Sequence, residues 1–75
     1  MQYCSISEIL KLWRYEVKYK HSIHYRYVNG ILTIYTEFPY CLIGVGGELI
    51  DKYKNILEEN FLDFIDVELI QTYEL

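Results

Sequence analysis

The segment from Pro39 to Ile50 constrains the fold most strongly, because two glycines three residues apart separate an apolar turn from an amphipathic helix. Gly44 and Gly47 have no Cβ atom, so the backbone between two helices can adopt dihedral angles that other residues avoid, and it can approach a ligand closely. The peptide N–H groups at the start of the second helix then point outward, with the positive end of the helix dipole behind them. Such a turn is suited to a phosphate group.

This segment resembles the nucleic-acid-binding loop of type II KH domains, the branch of the KH family found in the small ribosomal subunit. The order strand, proline, short apolar helix, Gly-x-x-Gly, amphipathic helix, strand is typical of the family, whose loop clamps about four nucleotides. The resemblance covers roughly residues 7–73. The positions that match the family pattern are Pro39, Ile43, Gly44, Gly47, Glu48 and Ile50.

The resemblance implies a groove in which single-stranded RNA or DNA would lie beside the loop. Ile43 and Ile50 would form part of an apolar floor, and residues 44–47 would present their backbone to phosphate. Lys52 and Lys54 would supply nearby positive charge. Because most of these contacts are made by backbone, the resemblance implies low sequence specificity.

Two features depart from the family pattern. Family members usually carry Lys or Arg between the two glycines, where this chain has Val45 and Gly46. The loop therefore keeps the backbone part of the clamp and lacks its side-chain charge. Glycine commonly follows the proline, where this chain has Tyr40, a side chain that would offer a stacking surface at the mouth of the groove.

Charge is distributed unevenly along the chain. The net charge is −4, which argues against a free-standing, high-affinity nucleic-acid binder, because phosphate neutralisation supplies much of such binding. Residues 1–30 contain five basic and two acidic residues, a net of +3, whereas residues 31–75 contain two basic and nine acidic residues, a net of −7. Lys11, Arg14 and Lys18 follow one another at helical spacing and predict a basic stripe, which is either a solvated helix surface or a contact for rRNA or protein.

The resemblance, taken with the charge distribution, implies two alternative functions. The first is weak binding of single-stranded RNA, single-stranded DNA or rRNA, with the chain working within a ribosome-like particle. The alternative is a degenerate KH-like scaffold that joins protein partners in a larger assembly and does not bind nucleic acid. Val45, the acidic C-terminal half and the nine tyrosines motivate this alternative, because Tyr is favoured at protein interfaces.

The rest of the sequence predicts a single α+β domain over residues 1–75. Its order is αββααβ, with a three-stranded mixed sheet and three helices on one face. Ser5 and Glu8 form a capping box for the first helix, which should bury Trp13. Asn29-Gly30 predicts a type I′ hairpin turn, because both residues tolerate positive φ.

The turn fixes the register of the predicted hairpin, in which Val28 faces Ile31 and Tyr25 faces Ile34. The third strand is predicted over about 63–73, with three alternate residues facing the core: Ile65, Val67 and Leu69. On the opposite face, Arg26 is expected to form a cross-strand ion pair with an acid of that third strand.

The sequence predicts no enzyme, metal site or cofactor. His21 and His24 are three apart across a helix end and a strand, where their side chains diverge, and Cys41 is expected to be buried in an apolar turn. No apolar run approaches the ~20 residues that span a bilayer, so we do not expect the chain to interact with a membrane. Cys4 and Cys41 show no disulfide framework, so we expect a reducing location, the cytoplasm or an organelle matrix.

Overall fold

Helices and strands follow the order αββααβ that the sequence predicts, and the computed structural model describes them over residues 5–73. The helices are α1 (Ile6–Glu16), α2 (Tyr40–Ile43) and α3 (Glu48–Asn60), and the strands are β1 (His24–Val28), β2 (Ile31–Thr36) and β3 (Asp66–Gln71). One addition is a turn of 3-10 helix, Val45–Gly47, between α2 and α3. Strand β2 lies between β1, to which it is antiparallel, and β3, to which it is parallel. The predicted α+β class and mixed sheet are confirmed.

Helix α1 begins where the capping box predicts. The Ser5 hydroxyl accepts a hydrogen bond from the Glu8 N–H group at 3.2 Å, which satisfies one of the unpaired donors of the first turn. The helix ends with Lys18 at φ +55°, and the Tyr19 N–H group then donates to the Arg14 carbonyl at 2.9 Å. This reversal is of the Schellman type and turns the chain back along the helix.

The hairpin has the register that the sequence predicts, with Val28 opposite Ile31 and Tyr25 opposite Ile34. Asn29 and Gly30 both have positive φ, +54° and +81°, as a type I′ turn requires. The Gly30 carbonyl then accepts hydrogen bonds from the first residues of the third-strand region, at 2.7 Å from the Ile65 N–H group and 3.3 Å from that of Asp66. The hairpin tip therefore holds the start of β3 in place.

The core lies between the sheet and the helices. On β2, Leu32 and Ile34 are fully buried on the face that the helices cover, and alternate residues are partly exposed on the other face. Trp13 of α1 stacks on Tyr53 of α3 with ring centroids 4.8 Å apart and planes 7° from parallel. The Trp13 indole N–H group also donates to the Leu42 carbonyl at 3.0 Å, so one side chain joins all three helices.

Three expectations about individual side chains are wrong. Ile65 is 69% exposed because β3 begins only at Asp66, three residues after the predicted start, and Ile65 precedes it. Cys41 is exposed, because Leu42 takes the buried position of the short helix α2. Arg26 is separated from β3 by β2, and Asp66 instead pairs with Lys54 of α3 at 3.0 Å.

Within residues 5–73 no helix combines the length and the apolar character needed to cross a membrane. The longest of them, α3, has 13 residues and carries charged side chains along its length.

Candidate nucleic-acid interface

The loop between α2 and α3 depends on glycines at three positions, one more than the sequence pattern identifies. Gly44 has φ +79° and ψ 173°, a combination that is essentially restricted to glycine. A Cβ atom there would lie 2.9 Å from the Leu49 Cγ atom. Gly46 and Gly47 also have positive φ, +65° and +78°, and a Cβ at Gly46 would meet no atom within 4 Å. The loop is therefore closely packed at Gly44 and open at Gly46.

Helix α3 starts directly behind this tip. The Glu48 N–H group donates to the Val45 carbonyl, and the Gly47 N–H group donates to the Gly44 carbonyl at 3.2 Å, which holds the turn closed. Gly47 is the N-cap residue and cannot provide a capping side chain. Val45 is 92% exposed and Gly46 is also exposed, so the tip of the loop is accessible from solvent. Glu48 and Asp51 occupy the first turn of α3, where carboxylates interact favourably with the helix dipole.

Besides Val45 at its tip, the loop is flanked by the other three apolar or aromatic side chains of the predicted site. Ile43 and Ile50 are half-buried, and Ile50 packs against the core, so each offers part of its surface. Tyr40 is 61% exposed and its ring meets the edge of Phe38 at a centroid distance of 6.1 Å. The structure therefore leaves Tyr40 accessible beside the loop.

Both lysines of the predicted site form ion pairs. The Lys52 Nζ atom lies 2.7 Å from the Glu16 Oε1 atom, which also accepts a hydrogen bond from the Tyr53 hydroxyl at 2.5 Å. The hydrogen bond from Lys52, followed by that from Tyr53, lowers the pKa of Glu16 below its usual range. The hydrogen bond from Lys54 likewise lowers the pKa of Asp66. The positive charges of Lys52 and Lys54 are therefore largely compensated by these carboxylates, which the sequence pattern did not indicate.

A cleft of about 540 Å³ lies against the loop, and its lining residues are Glu16, Gly44, Val45, Glu48, Leu49 and Lys52. Two carboxylates and one ammonium group make up its charge. Side chains here give an anion little electrostatic attraction, so any attraction comes from the peptide dipoles at the start of α3.

The predicted basic stripe is brought together with further residues into a second groove. This groove has a volume of about 510 Å³, and its lining residues are Lys11, Arg14, Tyr15, Lys18, Tyr19 and Lys20. We call it the α1 groove. The sequence pattern does not indicate Lys20, because the helical spacing ends at Lys18 and only the reversal after α1 returns the chain to the helix surface.

The two histidines considered as metal ligands do not line the loop cleft or the α1 groove. His21 packs its ring against Phe38 at a centroid distance of 4.6 Å and against Tyr19 at 5.4 Å, whereas His24 is exposed on β1. In the part of the chain that the structure describes, no three or more His, Cys, Asp or Glu side chains cluster in a way that could hold a metal ion.

Comparison of the chain with protein-family models, curated proteins and solved structures found no match. Function is therefore inferred from the geometry of the loop and the grooves.

Proposed function

We propose that this chain is a small module that binds single-stranded RNA or DNA weakly, with low sequence specificity, through the backbone of residues 44–47. The observation that carries the proposal is the loop itself: Gly44, Gly46 and Gly47 all have positive φ, and the space above Gly46 is open. In this proposal the loop acts as a KH-type clamp, and the partner is a single strand or rRNA within a ribosome-like particle.

The proposed clamp attracts phosphate through peptide groups. The loop lies at the N-terminus of the 13-residue helix α3, whose dipole is positive at that end, and no side chain caps it. The half-buried Ile43 and Ile50 supply the floor on which a base would rest, and Tyr40 supplies an exposed ring for stacking. The role is one of binding, without catalysis.

The ion pairs of Lys52 and Lys54 account for the weakness of the proposed binding. Each lysine shares its charge with a carboxylate, which reduces its attraction for a phosphate. Non-specific nucleic-acid binding has a Kd of roughly 10⁻⁴–10⁻⁶ M when phosphate contacts are made freely. With these two contacts compensated, we expect a Kd at the weak end of that range or above it.

The test is an NMR titration of ¹⁵N-labelled protein with short mixed-sequence single-stranded RNA and DNA at low salt. The proposal expects amide shifts at Gly44, Gly46, Gly47 and Ile50 that fade as salt is added. Unchanged spectra at millimolar oligonucleotide would refute it.

Paired variants separate charge from shape at the loop tip. Changing Val45 and Gly46 together to Asp places two carboxylates beside the phosphate, and changing both to Asn keeps nearly the same shape without charge. Asn and Asp both tolerate the left-handed backbone of Gly46. The Asp pair should abolish the loop shifts, whereas the Asn pair should preserve them. Equal loss in both pairs would contradict a phosphate contact at the tip.

A gain of function provides the complementary test. Val45→Lys restores a cation at the loop tip, and Leu62→Lys adds the same charge at a fully exposed site after α3. If the loop clamps phosphate, the first variant should tighten binding several-fold more than the second at the same salt. Similar effects would mean that only net charge matters.

A second candidate is a KH-like scaffold for protein partners, supported by the lack of a cation at Val45, by the exposed Tyr40 and by the ion-paired lysines. A scaffold should bind its protein partners equally well after both Asp substitutions at the loop and should show no oligonucleotide shifts. Either function suits a cytoplasmic or organelle-matrix location, which we include in the proposal.

A further inference from the structure

Four basic side chains line the α1 groove, which lies away from the loop. Lys11, Lys18 and Lys20 are exposed, and Arg14 is partly buried beneath them. No acidic residue lines the groove. The two salt bridges found within residues 5–73 use Lys52 and Lys54, so the groove cations take part in neither.

The groove and the loop lie on opposite flanks of α1. At about 100° per residue, Arg14 and Glu16 are separated by about 160° around the helix axis. Glu16 lines the cleft beside the loop, whereas Arg14 lines the α1 groove. The two surfaces can therefore be altered independently.

Local roles explain only part of this cluster. One Arg14 guanidinium nitrogen donates to the His21 carbonyl at 3.1 Å, and its Nε atom is buried with no hydrogen-bond partner in the described chain. Lys18 and Lys20 follow the C-terminus of α1, where cations are favourable to the helix dipole. Lys11 lies more than a turn before that end. It also lines a shallow neighbouring surface with Glu8, Leu12 and Tyr15, but within residues 5–73 no ion pair joins Lys11 to Glu8.

The spacing of the cations suits a chain of anions. From Lys11 to the end of α1 at Glu16 the helix rises by about 7.5 Å, and Lys18 and Lys20 follow that end, so the cations are spread out enough to contact successive phosphates and not only one. Tyr15 lies at the edge of the same groove with 83% of its surface exposed. A positively charged groove with an exposed aromatic ring is the usual combination for binding single-stranded nucleic acid without sequence preference.

We propose that the α1 groove is a second binding surface for single-stranded RNA or DNA, which holds the phosphate backbone with Lys11, Arg14, Lys18 and Lys20 and stacks a base on Tyr15. The inference shares its ligand class with the proposed function, but it concerns a separate surface and does not require the loop to bind.

The test measures binding of a fluorescent single-stranded RNA of about eight nucleotides by anisotropy over a range of salt concentrations. The groove variant is Lys11→Ala with Lys20→Ala, and the matched control is Arg26→Glu on the exposed face of β1. Both lower the net charge by two units, and all three side chains are exposed, so the fold should persist. Single-stranded binding loses a salt slope of about 0.7 for each phosphate contact, so the groove variant should lose about 1.4.

The expected result is at least tenfold weaker binding of the groove variant at low salt, with little change for Arg26→Glu. Tyr15→Leu should weaken binding about fivefold or more without changing the salt slope, because it removes stacking and no phosphate contact. Equal weakening by the groove variant and Arg26→Glu would overturn the proposal, since only net charge would then matter. Tighter binding to anionic lipid vesicles than to RNA would overturn it as well.

Amide shifts distinguish this proposal from that for the loop. Shifts at residues 11–20 that persist when Val45 and Gly46 are changed to Asp would support strand binding at the α1 groove that is independent of the loop. Shifts confined to residues 43–50 that are unaffected by the groove variant would overturn the groove while the loop proposal stands. No shifts at either surface would overturn both.

Discussion

Replacement of Trp13 by Phe tests whether one side chain holds the helices and the loop together. The Phe ring cannot donate a hydrogen bond, so the Leu42 carbonyl, buried in this contact, loses its indole partner. An unsatisfied buried acceptor costs about 1–3 kcal/mol. The smaller ring also leaves a gap against Tyr53, which adds roughly 1–2 kcal/mol. The expected loss of unfolding free energy is therefore about 2–5 kcal/mol.

The assay is urea unfolding followed by far-UV circular dichroism, because removing the single tryptophan removes its fluorescence. A domain of this size is expected to have an unfolding free energy of roughly 4–11 kcal/mol, so the variant should remain at least partly folded in water. With a urea slope of about 1 kcal/mol/M, the midpoint should fall by about 2 M or more. Tyr15→Phe on the same helix is the control, and its exposed ring should change stability by less than about 0.5 kcal/mol. A loss below about 1 kcal/mol for Trp13→Phe would refute the assigned role of the indole.

Two further predictions concern the hairpin tip and acid stability. Gly30→Ala should destabilise the protein by at least about 3 kcal/mol in the same urea assay, because φ at this position is +81° and the new Cβ would lie 2.3 Å from the Asp63 carbonyl oxygen. Gly46→Ala is the control and should cost only about 1–2 kcal/mol of backbone strain, since its Cβ would meet no atom within 4 Å. Similar losses for the two variants would contradict the steric argument. The pKa of Glu16 is lowered in the folded protein, mainly by the hydrogen bond from Lys52. The ionised Glu16 side chain therefore stabilises the fold fully at pH values above the ordinary Glu range, and this stabilisation is lost as pH falls through the lowered pKa. Thermal melting between neutral and acidic pH should therefore show a smaller acid-induced fall in Tm for Glu16→Gln than for the wild type or for Glu59→Gln, and parallel curves for all three would disprove the linkage.

Local rules predict the hairpin and the helices well. Asn29 and Gly30 fix the turn, and the turn fixes the register, because a shift of one residue would move Leu32 and Ile34 out of the core. The Ser5 cap likewise depends on residues within one turn of helix. These features are encoded by neighbours in sequence, so the sequence predicts them without knowledge of the tertiary packing.

For the candidate site, the sequence predicts the backbone of the loop but not the charge around it. The glycine spacing locates the loop, but the ion pair of Lys52 with Glu16 joins residues 36 positions apart and depends on how α1 packs against α3. The pairing of Lys54 with Asp66 depends in the same way on where β3 begins. Charge at the loop is therefore a tertiary property, and a count of lysines in sequence overestimates it.

The central position of β2 has a consequence for the order of folding. Its antiparallel partner β1 is reached through a two-residue turn, whereas its parallel partner β3 is reached only after α2 and α3, with Leu32 aligned to Val67. Contacts between residues distant in sequence require closure of a long loop and form slowly. The hairpin and helices can therefore form early, and the Gly30 carbonyl, which already projects from the hairpin tip, gives the late-arriving β3 a fixed starting point for its register.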